Sequence, residues 1–131
     1  MTSIKEFNLL DVRKNSQIVN SLNKVYKLWG YEKVSPSFIN KIETLKASGV
    51  INQEELVSLV SNKSLCLRPE MTTSIVKLIS TRLINKKRPI RLWNNGTTFE
   101  KKDGLKNSQK LNERIQSGIE LIGYDTDFPE I

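Results

Sequence analysis

The sequence predicts an α+β domain, and three observations predict it. Apolar residues recur at helical spacing in several stretches before Leu83. Short extended pieces, marked by proline or by alternation, interrupt those stretches, and from Pro89 onward the pattern is β.

Asn15 or Ser16 can cap a first helix in which Ile18, Leu22, Val25 and Leu28 share one side, closed by Gly30. Residues 31–35 read as extended, because Pro36 forces Ser35 away from helical geometry. A second helix is expected with Phe38, Ile39, Ile42 and Leu45 on one side and Gly49 just past its end. Asn52 with Glu55 three residues on resembles a capping box and opens a short helix ending near Val60. Residues 61–64 form a turn and 65–68 a strand. Pro69 suits the first turn of a helix carrying Ile75, Leu78, Ile79 and Leu83. Three strands are expected over 90–95, 97–101 and 113–122, with a polar stretch at 102–112 between the last two. No internal repeat or low-complexity linker divides the 131 residues, so a single domain is expected.

Composition narrows the chemistry. Histidine is absent, which removes imidazole bases, Ser-His-Asp triads and HExxH zinc chemistry. The single cysteine, Cys66, cannot form an internal disulfide or a multi-cysteine zinc site, and its alternating surroundings suit a buried structural thiol. No cofactor is implied. There is neither a membrane-length apolar run nor a secretory pattern, so a cytoplasmic protein without membrane partners is expected. The net charge of +7 comes from scattered lysines on solvated helix faces, with one dense run at Lys86-Lys87-Arg88. That distribution argues for a soluble surface rather than a nucleic-acid partner.

Four blocks then carry a resemblance. LWGYEKVSPSFINKIETL (about 28–45), LCLRPEMTTSIVKL (65–78), and IRLWNNGTTFEKK with ERIQSGIELIG (both within 90–123) follow the order of the histidyl-tRNA synthetase core. The resemblance implies a class II aminoacyl-tRNA synthetase-like fold, an antiparallel sheet flanked by helices and incomplete at the C-terminus. The chain, 1–131, then reads as the N-terminal part of that core. The first block is similar to the family's motif 1 and implies that Pro36 lies near a dimer interface. The second is similar to the LRPEGTA-type segment that begins the histidine pocket, and closer still to the LRPDMTT form of the family's regulatory paralogues. An α-ammonium needs a carboxylate and a neutral acceptor. Glu70 and Thr72 can supply them, their alternative roles being those of ordinary helix-start residues.

The third block occupies the place of motif 2. Phe99 is retained, but Glu100 stands where a synthetase arginine grips the ATP α-phosphate, and Lys102 where a glutamate follows. A carboxylate beside a phosphate reverses the sign of a contact worth on the order of a few kcal/mol near a protein surface. Lost adenylation is therefore expected. In the fourth block Gln116, Gly118 and Glu120 are even-spaced and share a strand face, opposite a face read as Arg114, Ile115, Ile119 and Leu121. The resemblance makes Gln116 and Glu120 pocket-lining; the bland alternative is a half-exposed strand. Together these features imply a non-catalytic regulatory subunit of ATP phosphoribosyltransferase, the first step of histidine biosynthesis. Its implied partners are the catalytic subunit and L-histidine, within a hetero-oligomer containing a homodimer. The alternatives are a divergent histidyl-tRNA synthetase fragment or a ligand-free dimer scaffold. An incomplete sheet is expected to leave apolar faces exposed.

Overall fold

The computed structural model of the protein describes residues 6–49, 52–103 and 109–123; the sequence expectations for the rest of the polar stretch, and for the segment after Gly123, fall outside them. The element order is α1 (Leu9–Leu28), β1 (Glu32–Lys33), β2 (Ile39–Lys41), α2 (Ile42–Ser48), a 3-10 turn (Gln53–Glu55), β3 (Leu65–Leu67), α3 (Thr72–Thr81), β4 (Ile90–Asp103) and β5 (Gln109–Ile122). The α+β expectation holds, with one refinement to the sheet. β4 and β5 pair antiparallel from Ile90↔Ile122 to Asp103↔Gln109, while β1 joins β4 in parallel at Glu32↔Leu92, so the sheet is mixed.

α1 starts about two turns earlier than Asn15 or Ser16 would place it. Asn8 is the cap, its Oδ1 accepting from the Asp11 N–H at 2.8 Å. Asp11 in the first turn and Lys27 in the last both complement the helix dipole. Gly30 ends the helix as expected, at φ 80°. The expected core side of α1 does not form: no α1 residue is buried, and Ile18, Val25 and Leu28 are exposed.

Three expected boundaries give way to strand pairing. Phe38 and Ile39 lie outside α2, because Ile39–Lys41 pairs antiparallel with Leu65–Leu67. The short helix toward Val60 stops at Glu55. Asn52 caps it through Glu54 N–H, but Val57 and Leu59 then bond to β3 through Leu67 N–H (2.9 Å) and Leu65 C=O (3.0 Å). A segment cannot use the same backbone groups in a helix and in a ladder. Finally, 90–95 and 97–101 are one strand. Gly96 does not interrupt β4; it continues the register opposite Gln116.

Two apolar clusters result. Ile42, Leu45, Leu56 and Cys66 close the α2–β3 side. Met71, Ile75 and Ile79 of α3 pack against Ile90 and Leu92 of β4, with Val34, Leu83 and Ile122 around them. α3 thus covers the even-numbered face of β4. On the other face α1 contributes Tyr26, whose ring lies 5.7 Å from Trp93 and whose hydroxyl is 2.9 Å from that of Ser117. Asn95 reaches the same helix, its Nδ2 donating to Asn23 at 2.6 Å.

Cys66 is fully buried, as expected of a structural thiol, and burial raises its pKa. Stability from keeping the thiol neutral is present below the ordinary thiol range and is lost as pH rises through the raised folded value. The native protein should resist an aromatic disulfide reagent at neutral pH and release one equivalent per chain once denatured; rapid reaction of the native form would contradict this burial.

Candidate functional site

The hairpin of β4 and β5 has one face that carries polar and glycine positions beside the start of α3. A period of two places Leu92, Asn94, Gly96, Thr98 and Glu100 on it, opposite Glu120, Gly118, Gln116, Arg114 and Asn112 in register. This corrects one expectation. Arg114 lies on the Gln116–Glu120 face and not with Ile115, Ile119 and Leu121, because 114 and 116 have the same parity.

α3 brings its first turn to this face. The Thr72 hydroxyl donates to Glu120 Oε1 at 3.2 Å, joining two of the expected pocket residues directly. Glu70 performs the helix-start role weighed for it: its two carboxylate oxygens accept from Thr73 N–H at 2.9 and 3.2 Å. Carboxylate oxygens carry further lone pairs, so this role leaves acceptor capacity for a ligand. Neither Glu70 nor Glu120 has a cationic partner among the described residues. Gln116 is half-buried two residues from Gly118. A Cβ built at Gly118 would meet nothing within 4 Å, so the middle of the face is open space.

At Gly96 the opposite holds. A Cβ there would approach Arg68 Nη2 to 2.6 Å, and that guanidinium has no freedom to retreat. Arg68 is 3 % exposed; its Nε donates to Thr97 C=O at 2.7 Å and its Nη1 to Pro36 C=O at 2.9 Å. Its guanidinium carbon sits 4.1 Å from the centre of the Phe38 ring, which meets Phe99 edge-on at 6.3 Å. Burial lowers the pKa of Arg68. Phe99, expected in the degenerate ATP motif, has odd parity and so belongs to the face of β4 opposite Glu100. Pro36 is half-buried and contributes its carbonyl to Arg68.

The last motif positions divide. Glu100 is half-buried and its Oε1 lies 2.9 Å from Arg114 Nη2, with Asn112 Nδ2 at 3.4 Å from the same oxygen. The Lys102 side chain lies outside the described residues. Arg68 and Arg114 complete the surroundings of the face, and neither is assigned a role there by the sequence alone. Parity alone finds Arg114, whereas the LRPEMTT block marks the position of Arg68 without its role, because its side-chain acceptors are carbonyls about thirty residues away.

Concavities among the described residues include one of about 590 Å³ bordered by Lys41, Lys46, Lys63 and Glu43, one of about 430 Å³ beside Thr72 and Val76, and one of about 200 Å³ beside Pro36 and Asn40. None of these three is lined by Glu70, Gln116 or Glu120; the candidate site is identified by the chemistry of the hairpin face. Among the described residues no three His, Cys, Asp or Glu side chains could hold a metal, and no helix is long and apolar enough to cross a membrane.

A long antiparallel hairpin, flanked on one face by a helix whose first turn meets the strand after motif 2, defines a class II synthetase-type core. The chain belongs to the histidyl-tRNA synthetase family, whose model matches residues 3–127. It is 69% identical over 131 residues to a protein of Prochlorococcus marinus subsp. pastoris named ATP phosphoribosyltransferase regulatory subunit, covering 100% of this chain and 34% of that one. A solved structure from Bacillus halodurans, described as an ATP phosphoribosyltransferase regulatory subunit/histidyl-tRNA synthetase, superposes with a TM-score of 0.81 at 26% identity, over 94% of this chain and 32% of that one. A histidyl-tRNA synthetase from a Nostoc species shares the fold, with a TM-score of 0.78 at 17% identity over 96% of this chain and 29% of its own. The chain spans about a third of the length of the curated relatives it matches.

The two glycines give a paired test. Gly96→Ala should cost about 1–3 kcal/mol, because a pinned guanidinium must move, whereas Gly118→Ala should stay within about 0.5 kcal/mol. Denaturant titration of both variants decides it; equal losses would contradict the open space at Gly118.

Proposed function

We propose that this chain forms the amino-acid-sensing face of a non-catalytic, cytoplasmic regulatory subunit of ATP phosphoribosyltransferase. The subunit activates the catalytic subunit and reports histidine concentration to it. The observation that carries the reading beyond the family is Glu100: the motif 2 position presents a carboxylate to the place where adenylation needs a phosphate-gripping guanidinium. The 69% identity to a protein of the regulatory name supports it independently.

The chemistry of the face suits a free amino acid. Glu70 and Thr72 offer a carboxylate and a hydroxyl to an α-ammonium, and Glu120 offers a carboxylate to an imidazole N–H. Gln116 offers an amide at the α-amino end, and Gly118 leaves room for the ligand between them. Thr72 and Glu120 already share a hydrogen bond, so a bound amino acid would compete for groups that bridge α3 and β5. Binding would thereby change how tightly the helix is tied to the hairpin. A ligand that prefers one arrangement shifts the population toward it. Pro36 would lie near the contact of a homodimer, beside the exposed apolar residues Phe38 and Ile39.

Reconstitution tests this. The protein as its gene encodes it is added to a short-form ATP phosphoribosyltransferase catalytic subunit, and histidine is titrated. Activation that histidine suppresses is expected; absence of activation together with histidine-dependent ATP–pyrophosphate exchange would restore a synthetase. Within the active complex, Glu70→Gln and Glu120→Gln should each raise the histidine concentration for half-suppression at least about tenfold, the scale of one lost charge-assisted hydrogen bond. Unchanged histidine curves in both variants would leave a scaffold with no sensing role.

A further inference from the structure

Glu100 and Arg114 form an ion pair on the hairpin face that amino-acid recognition does not use. Their register is diagonal: Arg114 lies opposite Thr98 and Glu100 opposite Asn112, so the two side chains reach toward each other across the strands on a shared face. The contact is 2.9 Å, and Asn112 Nδ2 lies 3.4 Å from the carboxylate oxygen that Arg114 meets. The Glu100 side chain is 25 % exposed against 55 % for Arg114, so the carboxylate is the more deeply set partner. Arg114 is one same-face position beyond Gln116, about 7 Å along the strand. The row therefore runs from the Thr72–Glu120 hydrogen bond, over open Gly118, past Gln116, to a guanidinium already occupied by a carboxylate.

We propose that Glu100 is a tethered stand-in for an anion: it holds the Arg114 guanidinium and so closes this end of the ligand face to phosphate groups. A phosphoryl chain lying beyond an amino acid on this face would run toward Arg114. There it would meet a guanidinium whose Nη2 already serves a carboxylate, and the charge of that carboxylate repels the newcomer. The outcome is a face selective for an amino acid over phosphorylated ligands, achieved by occupying a cation as well as by lacking one. This rests on the ligand-face reading above and adds a specificity device to it. A cross-strand ion pair of this exposure contributes little to stability, so a merely structural role would leave anion binding unmoved.

The test is binding of inorganic tripolyphosphate by calorimetry, on the protein as its gene encodes it, with thermal melts to confirm folding. Wild type should bind it weakly or not at all. Glu100→Gln, which keeps the size of the side chain and removes its charge, should bind it at least about tenfold more tightly. The double variant Glu100→Gln/Arg114→Gln should return to the wild-type level. The proposal is overturned if Glu100→Gln gains nothing, if wild type already binds as tightly, or if the gain persists without Arg114. Should Glu100→Gln not fold, Glu100→Ala provides the same comparison. Histidine titration of the same samples reads the sensing role separately. Absence of histidine binding by wild type with a tripolyphosphate gain in Glu100→Gln would reject the sensor and retain the closed guanidinium.

Discussion

The geometry of the molecule depends on one buried cation at the edge of one strand. β1 covers the edge of β4 only at Leu92 and Trp93, and Val34 N–H continues the coverage with a bond to Trp93 C=O. Farther along, Arg68 takes over that edge. Its own C=O accepts from Phe99 N–H at 2.9 Å, and its side-chain Nε donates to Thr97 C=O at 2.7 Å. The same residue donates its backbone N–H to Phe38 C=O and its Nη1 to Pro36 C=O, so the loop after β1, the end of β3 and the middle of β4 meet at one guanidinium. Desolvating such an ion costs several kcal/mol. Two good charge-assisted bonds at about 1.5–3 kcal/mol each return a comparable amount. Arg68 therefore contributes less to net stability than to fixing where its neighbours sit.

That constraint reaches the candidate site through the chain. Pro69 and Glu70 follow Arg68 immediately, so pinning Arg68 to β4 also sets where α3 begins, and α3 begins beside Glu120. Gly96 is the complementary half of the arrangement, the point at which β4 must lack a side chain for the guanidinium to pass. The apolar packing of Met71, Ile75 and Ile79 against Ile90 and Leu92 then holds the helix along the same face. The result is a hairpin whose even-numbered face carries the α3 packing and the Thr72–Glu120 contact, and whose odd-numbered face meets Tyr26 and Asn23 of α1.

Much of this was legible in the sequence where the signal is local. Gly30 and Gly49 ended their helices where expected, both at positive φ, and the alternation around Cys66 marked a buried thiol. The family resemblance implies that Thr72 and Glu120 lie close together, and a hydrogen bond joins their side chains. What was not legible is non-local. A three-residue strand such as Ile39–Lys41 carries no measurable period, and its identity is decided by pairing with a segment some twenty-five residues away. Val57 and Leu59 looked helical until the same β3 claimed their backbone. α1 looked amphipathic, yet its apolar residues find no buried seat among the described residues. Arg114 shares the parity of Gln116 and Glu120, so the register with β4 puts it on their face and not with Ile115 and Ile119. Arg68 stands in the LRPEMTT block, but its contacts leave no sequence trace, because its acceptors are backbone carbonyls and any residue has one.

The central claim is that the hairpin face beside α3 holds an amino acid, and a crystal structure of the protein as its gene encodes it, grown with histidine, tests that most directly. The account predicts histidine over Gly118, its ammonium within hydrogen-bond reach of Glu70 and Thr72, its imidazole beside Glu120, and the Glu100–Arg114 pair intact. Histidine bound elsewhere, or a face left empty at saturating histidine, would contradict it.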